Sequence, residues 1–274
     1  MSALTLTLTG HPEEPVDMSP LVPDRLRGLR TPQVSALLLR CGNRTLRVRD
    51  LFRVTAGEAG RLRVLRSTAR LDAVGAGLQA GDIDVHGPVG AQLGRKMAGG
   101  NIRVEGDAGL GAGCGMSGGS ITITGRAGDF VGAALPGERA GMTAGTIYVH
   151  GGAGDRLGDR QHRGLIVVEG DVGDYCGSRM LAGTIIVLGT AGRYVGAGMR
   201  RGTIILRHRP RLVSGTFNSC GMLKMEMLRL LFRQLPRAHR RLASLKSMLP
   251  LAERLAGDLA VGGKGELLVL EGAG

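Results

Sequence analysis

Asp82-Ile83-Asp84-Val85-His86-Gly87 returns 19 residues later as Asn101-Ile102-Arg103-Val104-Glu105-Gly106, and 19 after that as Ser120-Ile121-Thr122-Ile123-Thr124-Gly125. Thr146-Ile147-Tyr148-Val149-His150-Gly151 follows at a spacing of 26. Further copies start at Leu165 and Thr184, with a truncated one at Thr203, each 19 residues on. A period kept over this length marks a solenoid, whose units bury their apolar faces against one another. Each strand is followed by the pattern G-x-x-G-x-x-x-G, from Gly87/Gly90/Gly94 to Gly189/Gly192/Gly196, and a further glycine ends each unit. A phosphate-cradling loop needs one glycine-rich turn that opens a helix. These turns repeat six times and are followed by strand-like segments, so they read as corners.

A unit of 19 residues at roughly 3.3 Å each has a perimeter near 60 Å, enough for three short sides. Coils then stack at roughly 4.8 Å, which places equivalent residues in columns. The Ile83 column (Ile83, Ile102, Ile121, Ile147, Ile166, Ile185, Ile204) and the Val85 column stay apolar and point inward by period-two alternation. Met97, Met116, Met142, Met180 and Met199 form a third column, read as flexible core filler, in which Gln161 replaces the expected Met. The fold class is mainly β: a right-handed parallel β-helix of about seven to eight coils with a 19-residue repeat. Residues 1–60 form a non-repetitive N-terminal β segment, 61–222 the glycine-repeat β-helix, and 223–274 a C-terminal helical arm and hairpin.

Outside the repeat, Leu4 to Leu8 alternates as a strand and His11 to Pro23 reads as an extended loop. Val34 to Leu39 and Thr45 to Val48 read as a hairpin around Gly42-Asn43. Stepping back from Ile83, Gly94, Met97 and Gly100 gives a degenerate first coil at Val64, Gly75, Leu78 and Gly81; stepping forward gives a degenerate last one at Gly215 and Gly221. Glu226 to Leu235 is an amphipathic helix, ended or kinked by Pro236. Leu242, Leu245, Met248 and Leu249 make a second helical face stopped by Pro250, and Gly257 to Leu270 a hairpin.

The chain carries 36 basic and 23 acidic residues, a net charge of +13, which points to an anionic partner. Nucleic acid is disfavoured because aromatic residues are only 3% and no recognised binding motif is present. No stretch approaches a membrane span, and Met1 to Thr5 carries no basic n-region of a secretion signal. Cys41, Cys114, Cys176 and Cys220 form no CxxC pair, so a reduced cytoplasmic protein is expected.

Catalytic and metal-ligand sets are both absent from this reading. His86 beside Glu105 and His150 beside Glu169 offer two ligands per pair where a structural zinc site takes four, so they read as surface charge pairs. Asp129, Asp155 and Asp174 share a column and read as acceptors of corner N–H groups rather than as an acid–base pair.

The glycine coils resemble the glycine-repeat C-terminal domain of the glutamate synthase large subunit, and still more the C subunit of the formylmethanofuran dehydrogenase family. Pro15 to Leu26, Asp50-Leu51-Phe52-Arg53-Val54 and Gly215-Thr216-Phe217-Asn218-Ser219-Cys220-Gly221 carry the second likeness. The tail, with Gly257 to Gly265, is similar to the bacterial branch, the C subunit of the formyltransferase/hydrolase complex of methylotrophs. The resemblance implies a non-catalytic scaffold in one-carbon metabolism, formaldehyde to formate. The chemistry would lie on an amidohydrolase-like subunit and a formyltransferase subunit, beside a further dehydrogenase-like subunit. The substrates would be a formylated, methylofuran-like furan coenzyme and tetrahydromethanopterin. A C subunit of a molybdenum or tungsten dehydrogenase is the alternative reading. An independent β-helix enzyme, such as a polysaccharide lyase, is a third.

Two surfaces follow. Outward of the Ile83 column, Asp84, Arg103 and Thr122 give way to Tyr148, Val167, Ile186 and Ile205, so this half is expected to be covered, by the helix bearing Leu228 and Phe232 or by a partner. Arg156, Arg160, Arg163, Arg179, Arg200 and Arg201 form a ridge beside the excursion of Ala133 to Arg139. By resemblance the coenzyme carries a polyglutamate tail, which this ridge would hold; acidic partner subunits are the competing ligand.

Overall fold

The structure, a computed structural model, describes residues 2–235 and 251–270. The alternating stretch Ala3–Leu8 is β1, with Leu4, Leu6 and Leu8 inward. A capping layer follows: β2 (Val16–Asp17), α1 (Pro23–Leu26), α2 (Thr31–Ala36), β3 (Leu38–Cys41), β4 (Arg44–Arg47), α3 (Val48–Leu51) and β5 (Phe52–Thr55). The segment read as an extended loop thus holds the short strand β2, which pairs with β3. The hairpin around Gly42-Asn43 is present, but its first strand begins at Leu38. Val34 belongs to α2 instead, because Pro32 opens a helix that Gln33 helps to cap.

The repeat then builds β6 (Glu58–Leu65), β7 (Leu71–Asp72), β8 (Asp82–His86), β9 (Asn101–Glu105), β10 (Ser120–Ile123), β11 (Thr146–Val149), β12 (Leu165–Val168), β13 (Thr184–Val187) and β14 (Thr203–Leu206). The tail adds β15 (Asn218–Lys224), α4 (Glu226–Gln234), β16 (Leu251–Gly257) and β17 (Gly265–Leu270). Pro236 and the second helical face at Leu242 to Leu249 lie outside the described residues.

The molecule is mainly β, with a large sheet of 13 strands whose central run is parallel. Equivalent residues pair directly: Ile83 with Ile102, Ile121 with Ile147, Ile166 with Ile185. A second side is joined through Val89, Ala108, Ala127, Ala153, Val172 and Ala191. On the third, Ala98 N–H donates to Leu78, Ser117 to Met97 and Arg200 to Met180, each at 2.8 Å. Each unit therefore hydrogen-bonds the next along three sides. The Ile83, Val85 and Met97 columns are buried throughout, each fully buried aliphatic side chain contributing about 1.5–3 kcal/mol.

Two glycines per unit are dictated by this packing. At Gly94 the backbone is left-handed (φ +58°) and an added Cβ would lie 2.5 Å from Ile121 Cδ1. At Gly192 a Cβ would sit against the Asp174 carboxylate, which the glycine leaves room for.

The ends of the stack differ from the expectation at one side. At the first unit Val64, Gly75, Leu78 and Gly81 do stand in the repeat columns, and β6 carries β1 in parallel on its outer edge. At the last unit the column does not continue through Gly215 and Gly221; Gly221 lies in the exposed β15. Instead β17 adds to β14, Ile204 facing Leu267 and Leu206 facing Val269. A strand with Leu267 and Val269 at alternate positions buries the open face, whereas Asn218-Ser219-Cys220-Gly221 has no apolar alternation to offer.

Candidate functional site

The 26-residue unit keeps its register with its neighbours, so its seven additional residues leave the stack as a loop. The loop closes at its base, where Met142 N–H donates to Gly132 O at 2.8 Å. Its far end is fixed by Glu138. That carboxylate takes Arg95 Nη2 at 2.8 Å, with Lys96 Nζ at 3.8 Å and the Leu135 N–H at 3.3 Å. Burial opposes its ionisation, but the Arg95 hydrogen bond, the Leu135 N–H and the charges of Arg95 and Lys96 hold it below the usual carboxylate range. Arg160 Nη1 reaches back to Glu138 O at 3.1 Å, and Ala134 N–H donates to Asp159 O.

Between this loop and the next units lies a cleft of about 390 Å³. Phe130, Ala134, Leu135 and Pro136 form its apolar wall, and Arg156, Arg160 and Arg179 its basic one. Asp159, 1% exposed, sits at its floor. It takes Arg179 through Nε at 2.9 Å and again through Nη2, Ser178 Oγ at 2.9 Å, and Arg156 Nη1 at 3.8 Å. The Asp159 hydrogen bond holds the Arg179 guanidinium above its ordinary value, against a smaller effect of burial. Arg156 lies over the Tyr175 ring at 5.0 Å and the Phe130 ring at 6.0 Å, and Tyr175 stacks on Tyr194 at 4.8 Å.

The structure thus brings together three of the six ridge arginines. Arg163, Arg200 and Arg201 are exposed, stand outside the cleft, and meet no carboxylate among the described residues. Asp159 and Glu138, which organise the cleft, escape a reading made for columns of like residues. The signal was the spacing: Ser178 stands 19 after Asp159 and one position before Arg179.

Tyr148, Val167, Ile186 and Ile205 share one apolar cluster with Leu228 and Phe232, so α4 of the same chain lies over that half of the sheet. The other half is open and polar: Arg61, Arg63, Asp84, Arg103 and Thr122 line a hollow of about 530 Å³. His86 Nδ1 meets Glu105 at 2.8 Å on the surface, while His150 meets Glu169 at 2.6 Å in a pair that is largely buried. Among the described residues no group of three or more His, Cys, Asp or Glu is arranged to hold a metal. The corner aspartates accept backbone N–H bonds: Asp129 from Asp155, Asp155 from Asp174, and Asp174 from Arg193, at 2.7–2.8 Å. Asp107 and Asp171 do the same for Arg126 and Thr190, a second ladder the repeat also contains. Burial pushes the Cys114 and Cys176 thiols up to about 12, which leaves them unreactive.

The family model described as "GXGXG motif" matches residues 65–243. The chain belongs to the GXGXG-motif family. Within this GXGXG chain, an 89-residue segment is 42% identical to the C subunit of the formyltransferase/hydrolase complex Fhc from Methylorubrum extorquens. That segment is 32% of this chain and spans about a third (34%) of the relative's length. A chain from the X-ray crystal structure of the formyltransferase/hydrolase complex (FhcABCD) of Methylorubrum extorquens, in complex with methylofuran, is 40% identical and superposes with a TM-score of 0.89. The superposition covers 97% of this GXGXG chain and 99% of that one. The likeness to the C subunit of that complex, read from the coils and their flanks, therefore holds. No helix among the described residues is long and apolar enough to cross a membrane.

Proposed function

We propose that this chain is the C subunit of a formyltransferase/hydrolase complex, a non-catalytic scaffold folded as a right-handed parallel β-helix. The observation that carries the reading is the superposition, at 40% identity and over 97% of this chain, on a chain of such a complex. The non-catalytic part is supported by how the reactive groups are used. The Cys41, Cys114 and Cys176 thiols are buried, and the corner carboxylates are occupied by backbone N–H groups. The partners in this reading are an amidohydrolase-like subunit, a formyltransferase subunit and a dehydrogenase-like subunit. The reaction they carry out converts formyl groups on a methylofuran-like coenzyme and tetrahydromethanopterin towards formate. Four free cysteines agree with a cytoplasmic setting. Arg156, Arg160 and Arg179 hold the acidic tail of the coenzyme, with Arg163, Arg200 and Arg201 extending the ridge toward acidic partner surfaces.

Co-purification of the native complex tests this. The expected result is a hetero-oligomer that contains this chain, hydrolyses the formylated coenzyme and holds no pterin-bound molybdenum or tungsten. Bound pterin metal would move the chain to the dehydrogenase branch, and activity of the isolated chain would end the scaffold reading.

A further inference from the structure

The charges in the cleft balance unevenly. Asp159 is shared by Arg179 and Arg156, and Glu138 by Arg95 and Lys96. Arg160 alone among the cleft cations has no carboxylate among the described residues. Among the described residues its side chain makes one hydrogen bond, from Nη1 to the Glu138 carbonyl, and the residue lines the cleft. Arg160 sits at φ +55°, in a column where Gly77, Lys96, Gly115, Arg179 and Gly198 hold the same left-handed conformation.

We propose that the cleft is a receptor for a single carboxylate on a short aliphatic stem. Arg160 grips the carboxylate. Leu135, Pro136 and Phe130 cover the stem. Asp159 is a positioning residue that neutralises and fixes Arg179 and Arg156 as walls. One unneutralised guanidinium matches one negative charge, and its planar edge matches a carboxylate better than a tetrahedral anion. The inference rests on the reading of these arginines as an anchor but replaces a diffuse ridge with one pocket. The three exposed arginines contribute only long-range attraction, which salt screens.

The test titrates the purified, ligand-stripped complex with butyrate, glutarate and inorganic phosphate by calorimetry. One butyrate is expected per chain, with affinity on the order of millimolar. Glutarate should bind within about 3-fold of butyrate, since only one carboxylate is gripped. Arg160→Gly, which introduces the residue found at the equivalent Gly77, Gly115 and Gly198 corners, should weaken butyrate about 10-fold or more. Arg160→Lys should also weaken it, because the fork is lost. Arg163→Ser and Arg201→Ser should leave it within about 2-fold. The proposal is overturned if butyrate fails to bind, if Arg160→Gly binds it unchanged, or if phosphate or glutarate binds about 10-fold tighter than butyrate. Coenzyme retention is measured separately on the same variants. If butyrate binding is lost in Arg160→Gly while coenzyme stays, the receptor stands and the tail-anchoring role falls.

Discussion

Gly94 and Gly115 share a left-handed backbone, at φ +58° and +64°, but not the same surroundings. A Cβ at Gly94 would lie 2.5 Å from Ile121 Cδ1 and 3.3 Å from Ile102 Cδ1, in the packed interior. At Gly115 the nearest atom is Lys96 Cγ at 3.4 Å, an ordinary contact. Alanine at either position incurs the left-handed penalty of about 1–2 kcal/mol, offset by about 0.4–1 kcal/mol from the unfolded chain. Gly115→Ala should therefore destabilise by only about 1 kcal/mol, the more so because Lys96 already holds this corner in the adjacent unit. Gly94→Ala adds an overpacked core contact of about 1–3 kcal/mol, for a total near 2–4 kcal/mol. Ile121→Val removes the obstructing methyl and alone costs about 0.5–1.5 kcal/mol. The double variant Gly94→Ala/Ile121→Val should then be more stable than the sum of its parts by about 1–2 kcal/mol. Denaturant unfolding followed by circular dichroism gives the four values. Equal losses at the two glycines, or strict additivity with Ile121→Val, would refute the claim that inward isoleucine packing dictates this glycine.

Three other outcomes are expected. Val167→Lys or Ile186→Lys places a charge beneath α4, where the native side chains are 1% and 0% exposed, and should cost about 3–5 kcal/mol and make the arm susceptible to limited proteolysis. Gln161→Met restores the column residue and removes a buried amide oxygen with no partner among the described residues, but it also removes the Nε2 bonds to the Arg163 and Gly164 carbonyls, so the melting temperature should shift by less than the equivalent of about 1 kcal/mol in either direction. Burial opposes ionisation of Asp258, but the Thr216 side chain and the Gly198 and Ala260 N–H groups outweigh it and lower its pKa. Its contribution is thus full above the ordinary carboxylate range and lost as the pH falls through its depressed value. Thermal melts between about pH 6 and 3 should show the wild type losing its advantage over Asp258→Asn as acid is added.

The parallel core was legible because its causes are local and repeated. An inward Ile, an inward Val and a glycine that must clear the next isoleucine recur at a fixed spacing, so each copy repeats the same constraint. The corner aspartates were legible for the same reason, since an Asp at the same offset meets the same N–H one unit on. The cleft was half legible. The arginines were visible as a ridge along the repeat columns and the excursion as a departure from the repeat, but Asp159 and Glu138 are single residues whose partners lie in different units. The last unit was misplaced at Gly215 and Gly221 because glycine spacing persists there after the apolar alternation has stopped. Period alone carried that inference, and burial decided against it.

That misplacement bears on how the stack ends. A parallel stack of units leaves a full row of unpaired N–H and C=O groups at each end, a template for association with another chain. Both ends of this sheet meet it in the same way: one more parallel strand, then a change of direction. At the first end β1 lies parallel on β6 and β5 runs antiparallel on β1. At the other, β17 lies parallel on β14, and β16 and β15 follow antiparallel. The reversal forbids a further copy of the repeat from docking in register. The final edge is blunted too, by the irregularity between Ser219 and Met222 at Gly221 (φ +74°). The tail that caps the stack is the same segment whose α4 covers Val167, Ile186 and Ile205. One stretch of chain therefore closes the end of the sheet and the apolar half of its outer face. Among the described residues nothing covers the polar half around Arg63, Asp84 and Arg103, and there the outer column carries charges that need no cover.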